Sequence, residues 1–214
     1  MTSRNQEEYS MASKDKELEV KFYLRDLPAL KAKLEAGQAS CVQERVHEVN
    51  LRFDTPDEEL GRTFRVLRLR KDRENRLTYK GPGRVQDEVR MREELEFTVG
   101  DFDIARAFLE ALGYQVAVMY EKYRTTYEID GVLVTLDEMP YGSFAEIEGP
   151  DGKSIQLTAS RLGLNWEARI LDSYLVLFDQ VRVALGFTFH NLSFANFENL
   201  AVPPEALGVK EADV

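Results

Sequence analysis

Glu17, Glu19 and Lys21 fall at i, i+2 and i+4, with Leu18, Val20 and Phe22 between and after them. Successive side chains of an extended strand point to opposite faces, so the two carboxylates and the ammonium share one face. The pattern recurs along the chain. Arg68 and Arg70 lie opposite Leu67 and Leu69, and Thr78 and Lys80 opposite Leu77 and Tyr79. Arg90, Arg92, Glu94 and Glu96 lie opposite Met91, Leu95 and Phe97; Lys122 and Arg124 lie opposite Tyr123. Asp137 lies opposite Leu136, and Glu146 and Glu148 opposite Ala145 and Ile147. Bases at this density suit phosphate oxygens, which arginine binds bidentately. Carboxylates beside a phosphate site repel the ligand unless a cation lies between. An all-oxygen set without Cys or His suits Mg²⁺ or Mn²⁺ rather than Zn²⁺.

These residues need strands to carry them. Alternation predicts strands over residues 17–23, 42–53, 63–71, 76–80, 88–99, 119–129, 132–138 and 144–148. Asp130-Gly131 marks a hairpin, and Asp54-Thr55-Pro56-Asp57 and Gly81-Pro82-Gly83 mark turns. Helical spacing and caps predict helices from Leu27 to Ala36, after Asp101 up to Gly113, and over residues 153–162 and 165–185. An antiparallel sheet with one face in water accounts for any single strand. It does not account for a polar face made almost wholly of charge in a chain whose helices can cover the apolar face. The expectation is an α+β fold: a closed antiparallel β-barrel of about eight strands forming a polar tunnel, helices outside.

The chain has 214 residues, 43% hydrophobic and 31% charged, which suits one sizeable domain with its own core. A net charge of −10 disfavours nucleic acid and anionic membrane as partners. One cysteine, Cys41, allows no intrachain disulfide and fits a reducing, cytoplasmic compartment; it is expected as a small core residue. No apolar run approaches the about 20 residues that span a bilayer. The expected organisation is a flexible N-terminal segment over residues 1–15, with Met11 a second possible start, a domain over 16–186, and a C-terminal tail over 187–214, weakly structured from Pro203. His47 and His190 read as structural, and Trp166, Tyr174, Leu175 and Phe178 as helix packing.

Glu17-x-Glu19-x-Lys21 resembles the ExExK signature of the CYTH family, the triphosphate tunnel metalloenzymes. Further segments agree in order: Phe53-Asp54-Thr55-Pro56 with FDTP, Leu67-Arg68-Leu69-Arg70 with LRxR, and Leu77-Thr78-Tyr79-Lys80-Gly81-Pro82 with LTYKGP. Arg92-x-Glu94-x-Glu96 resembles RxExE, Lys122-x-Arg124 resembles KxR, and Leu136-Asp137-Glu138 with Gly142-x-Phe144-x-Glu146-x-Glu148-Gly149 resembles the closing LDE and GxFxEIEG. The match covers residues 17–149. Arg52 departs from the family's usual aromatic before FDTP, and Val66 from its small residue before LRxR.

The resemblance implies a tunnel that binds triphosphates with a divalent metal. Carried over by position, Lys21, Arg68, Arg70, Lys80, Arg92, Lys122 and Arg124 hold phosphates. Glu17, Glu19, Asp137, Glu146 and Glu148 bind metal or position water, with Glu94 and Glu96 supporting; Glu17, Glu19, Lys21 and Lys80 are the catalytic set. The family's C-terminal helix can add a phosphate-binding Lys. Residues 165–185 contain none, so Arg169 or Arg182 substitutes or the contact is absent. The expected activity is metal-dependent hydrolysis of a small-molecule triphosphate, inorganic tripolyphosphate before thiamine or nucleoside triphosphates, by a monomer or homodimer. The alternatives are a class IV adenylyl cyclase and a barrel that binds polyphosphate or nucleotide without turnover.

Overall fold

The computed structural model describes residues 15–86 and 88–214. The expected flexible segment therefore lies outside the described residues up to Asp15, which opens β1 (Asp15–Leu24). There follow α1 (Leu27–Ala36), β2 (Ser40–Asp54), α2 (Glu59–Arg62), β3 (Val66–Lys71), β4 (Asn75–Lys80), β5 (Arg84–Gln86), β6 (Val89–Val99) and α3 (Phe102–Ala111). Then come β7 (Gln115–Ile129), β8 (Val132–Met139), β9 (Gly142–Glu148), α4 (Gly152–Arg161), β10 (Arg169–Ile170), α5 (Tyr174–Leu185) and α6 (Pro204–Leu207).

The strands form one antiparallel sheet that closes on itself. Its order is β1-β9-β8-β7-β2-β3-β4-β6, and β6 pairs back onto β1, with Leu18 opposite Met91. Closure leaves no long free edge on these eight strands. Beyond Glu19 the vacated edge of β1 is taken by β10, Lys21 facing Ile170, and β5 flanks β6. Outward residues of β1, β8 and β9 (Val20, Phe22, Val134, Leu136, Ala145, Ile147) bury against Leu30 and Leu34 of α1 and Ile155 and Ala159 of α4. α3 covers Leu51, Phe53 and Leu69 through Leu109. The caps are those the sequence suggests: Asp26 accepts from the Ala29 amide and Asp101 from the Ile104 amide, each at 2.9 Å. Asp130 and Gly131 carry the positive φ of 53° and 75° that a tight hairpin demands.

Four expectations need correction. The strand expected over 63–71 begins only at Val66, because the Asp54 carboxylate accepts from the amides of Thr55, Leu60 and Gly61 and winds α2. The helix expected over 165–185 is confined to Tyr174–Leu185: Trp166–Ala168 is a 3-10 turn, Arg169 and Ile170 pair with β1, and Ser173 caps α5. The end expected to be weakly structured from Pro203 carries α6, with Leu207 and Ala212 buried and the Ala212 amide bonded to the Tyr23 carbonyl at 3.0 Å. Cys41 is exposed rather than in the core.

The inward face changes character along its strands. Tyr23, Tyr120, Met139 and Phe144 share the parity of the charged residues, yet they pack with Leu177, Phe178 and Val181 of α5 and with Leu192 and Phe197 beyond it. The C-terminal elements thus pack onto the inward face at one end of the ring. Gly142, at φ 150°, lies against the Tyr23 ring, where a Cβ would meet an aromatic carbon at 2.7 Å. Only glycine lets β9 start so close to β1.

Candidate active site

The rest of the interior is a cavity of about 560 Å³. Its lining includes Glu17, Glu19, Lys21, Arg68, Arg70, Lys80, Arg92, Glu94, Glu96, Lys122, Arg124, Glu146 and Glu148, so these sequence-predicted residues converge on one space. Asp137 does not line it. Asp137 is fully buried and accepts from Lys122 Nζ at 3.2 Å, from Arg124 Nε at 2.6 Å and Nη2 at 2.5 Å, and from the Tyr174 hydroxyl at 2.7 Å. Its position is behind the bases, as their anchor.

Two walls can be told apart. One is basic: Arg68 and Arg70 from β3, Lys122 and Arg124 from β7, with Arg52 from β2. Behind it, with Asp137, lies Glu48 of β2, only 1% exposed, at 3.6 Å from Lys122, 3.8 Å from Arg70 and 4.0 Å from Arg124. Burial alone would raise the Glu48 carboxyl, but Lys122, Arg124 and Arg70 outweigh it and hold it at about 2. Burial likewise opposes the Arg124 charge, and Asp137 and Glu146 reverse that.

The other wall is acidic, built where β1 meets β9: Glu19 lies opposite Glu148, and Lys21 opposite Glu146. Lys21 bridges Glu19 at 2.7 Å and Glu146 at 3.0 Å. Lys80 reaches across to Glu17 at 2.5 Å and Glu94 at 3.3 Å. The bridges are incomplete. Burial, with the charges of Glu17, Glu146 and Glu19, raises the Glu148 carboxyl to about 7, and burial with Glu146 raises that of Glu19. Glu146 itself is buried but held well below the usual range by Lys21 and Arg124. Among the described residues no three His, Cys, Asp or Glu side chains are already gathered as a metal nest. The donor chemistry nevertheless fits a hard cation: four carboxylates share a wall where their mutual repulsion has an all-oxygen solution.

Sequence reasoning missed Glu48, Arg52, Arg76, Tyr120 and Tyr174. The signal for Glu48 was there, since Glu48, Asn50 and Arg52 alternate on β2. Register shifts at Cys41/Gln43 and Gln43/Val46 hide it by scrambling parity upstream. Tyr174, read as helix packing, opens α5, lines the cavity and lies between Lys21 and Lys122, its ring centroid 5.5 and 5.4 Å from their ammonium groups. Arg169 bonds Glu88 and the Trp166 carbonyl, and Arg182 bonds Asp179; neither lines the cavity. His47 packs at a tilt against Tyr123, ring centroids 4.9 Å apart, and His190 sits by Arg182, outside the lining.

A sequence model of the CYTH domain matches residues 15–164. The chain belongs to the CYTH family. Solved structures share the fold. A candidate adenylate cyclase from Vibrio parahaemolyticus superposes with a TM-score of 0.69 at 22% identity, over 78% of this chain and 99% of its own. The PH1819 protein of Pyrococcus horikoshii gives 0.66 at 26% identity, over 77% and 99%. A candidate adenylyl cyclase from Hippeastrum, described as having a dominant triphosphatase activity, gives 0.59 at 18% identity, over 76% and 95%. No curated protein matches the chain. The CYTH match ends before α5, so Tyr174 lies outside it. No helix among the described residues is long and apolar enough to cross a membrane.

Proposed function

We propose that this CYTH chain is a divalent-metal-dependent hydrolase of triphosphates, with inorganic tripolyphosphate the first substrate. The observation that carries the reading is the division of the cavity into a basic wall anchored on buried carboxylates and a facing acidic wall left short of positive charge. Arg68, Arg70, Lys122 and Arg124 bind the phosphate oxygens, already oriented by Asp137 and Glu96, so little reorganisation is needed at the moment of reaction. Lys21, Lys80 and Arg92 close on the chain of phosphates from the acidic side and align it for in-line attack by water.

CYTH triphosphatases and cyclases depend in general on a divalent metal. Here Glu17, Glu19, Glu146 and Glu148 would hold it, Mg²⁺ or Mn²⁺, with Asp137 excluded by its three donors. Bound there, the ion would neutralise developing phosphate charge and lower the pKa of an attacking water. As the lysines turn to the substrate, the carboxylates they leave become free for the cation. The lining is dominated by charge, which specifies a triphosphate more than any group attached to it.

The test is product analysis after incubation with tripolyphosphate, ATP and thiamine triphosphate, with Mg²⁺ or Mn²⁺. Orthophosphate released fastest from tripolyphosphate is the expected result. Cyclic AMP with diphosphate from ATP makes the chain a cyclase, and binding without any metal-dependent product makes it a passive barrel.

A further inference from the structure

Glu48 is a buried acid that neither phosphate binding nor metal binding uses. It lies one layer behind the basic wall, opposite Lys122 across the β2–β7 ladder, and Oε2 has no hydrogen-bond partner among the described residues. Its ties to Lys122, Arg70 and Arg124 are 3.6–4.0 Å long, beyond hydrogen-bond range. Its work is therefore electrostatic more than geometric. The bases hold their places without it. Lys122 and Arg124 keep Asp137, and Arg70 keeps Glu96 at 3.3 Å and Asp72 at 3.4 Å.

We infer that Glu48 sets how tightly the basic wall retains its anion: its charge offsets part of the field of Arg68, Arg70, Lys122 and Arg124, so that phosphate products can leave. The inference rests on the triphosphate reading of the cavity. A carboxylate just behind the wall repels a multiply charged anion bound in front of it, and that repulsion is weakly screened in a buried, low-dielectric site. A residue needed only for packing or for holding bases in place would do the opposite: its loss would loosen the anion.

The sign of the change in affinity decides between these roles. Tripolyphosphate binding without metal is measured by calorimetry for the wild type, Glu48→Gln, Glu48→Asp and Asn50→Asp. Asn50 is fully buried, lies cross-strand from Arg70, and has both amide atoms unpartnered among the described residues, so an aspartate there adds negative charge to the same layer. Glu48→Gln is expected to bind about tenfold more tightly, about 1.4 kcal/mol. Glu48→Asp keeps the charge and stays close to wild type, and Asn50→Asp weakens binding by a similar factor. In turnover Glu48→Gln lowers KM and kcat together, as slow product release requires. A folded Glu48→Gln that binds no more tightly than wild type overturns the inference. If that variant fails to fold, an Asn50→Asp protein that binds as tightly as wild type overturns it instead. A wild-type protein that binds no tripolyphosphate overturns the triphosphate reading, and the inference with it.

Discussion

The two walls of the cavity use the same kinds of residue in opposite ways. On the basic wall Arg70, Lys122 and Arg124 have a buried carboxylate behind them, Asp137 or Glu48, neither of which takes a place in the lining. On the acidic wall the carboxylates are themselves the lining, and their partners Lys21 and Lys80 line it too. The first arrangement fixes Lys122 and Arg124 on Asp137 without ligand. The second leaves Glu148 and Glu19 with raised carboxyls. Bases tied to buried carboxylates and carboxylates that repel one another thus line one cavity.

The sharpest way to break that contrast is to remove one residue from each wall. Arg124→Ala strips Asp137 of its bidentate partner and leaves a fully buried carboxylate undercompensated. Losing one partner of a buried pair costs about 3–5 kcal/mol, so this variant should lose that much stability in chemical denaturation. The triphosphate turnover proposed for it should fall at least about 10²-fold, as when a preorganised donor is removed. Glu148→Gln should lose comparable activity yet unfold at the same or higher denaturant, because it relieves repulsion. Equal destabilisation of the two variants would mean that both walls are prepaired and that the division is false.

The pH dependence of stability sharpens the acidic side. The Glu148 carboxyl lies near 7 when folded against an ordinary value of 4.5, so between those values the folded chain binds the proton that the unfolded chain releases. Stability therefore falls as pH rises through this window, and Glu19, raised as well, acts in the same direction. Glu48, Glu96 and Glu146 are lowered, so their contributions are lost only at more acidic pH and leave the window clear. The metal-free wild type should lose about 5–10 °C of Tm more than Glu148→Gln between pH 5 and 8, the shift that about 2–3 kcal/mol gives in a chain of this size. Excess Mg²⁺ or Mn²⁺ should erase the difference by favouring the ionised carboxylates. Parallel pH profiles for the two proteins would remove the case for a wall short of cations.

The acidic wall was the more legible of the two in the sequence. Glu17, Glu19, Lys21, Glu146 and Glu148 sit on regular strands, β1 and β9, where parity assigns faces directly. The anchors of the basic wall were hidden for physical reasons. Glu48 follows two register shifts on β2, and Asp137 shares the parity of the lining while its contacts draw it behind Lys122 and Arg124. The short helix α2 depends on the Asp54 carboxylate gathering amides six and seven residues away, which no period reveals. The break between β10 and α5 follows from the free edge of β1, a property of the closed ring rather than of the segment that fills it.

The smallest expected effect tests whether the C-terminal elements belong to the basic wall or merely cover it. Tyr174→Phe keeps the ring between Lys21 and Lys122 and removes only the hydroxyl that donates to Asp137 at 2.7 Å. Asp137 retains both cations, so the loss should be that of one hydrogen bond to a charged group, about 1.5–3 kcal/mol in chemical denaturation, and kcat should fall severalfold with KM little changed. Tyr174→Ala removes the ring as well. If α5 only covers the ring, Tyr174→Phe leaves kcat untouched and Tyr174→Ala costs stability alone. If Tyr174 helps hold Asp137, and through it Lys122 and Arg124, Tyr174→Phe already lowers kcat while an outward change on the same helix, such as the exposed Val183→Ala, does not.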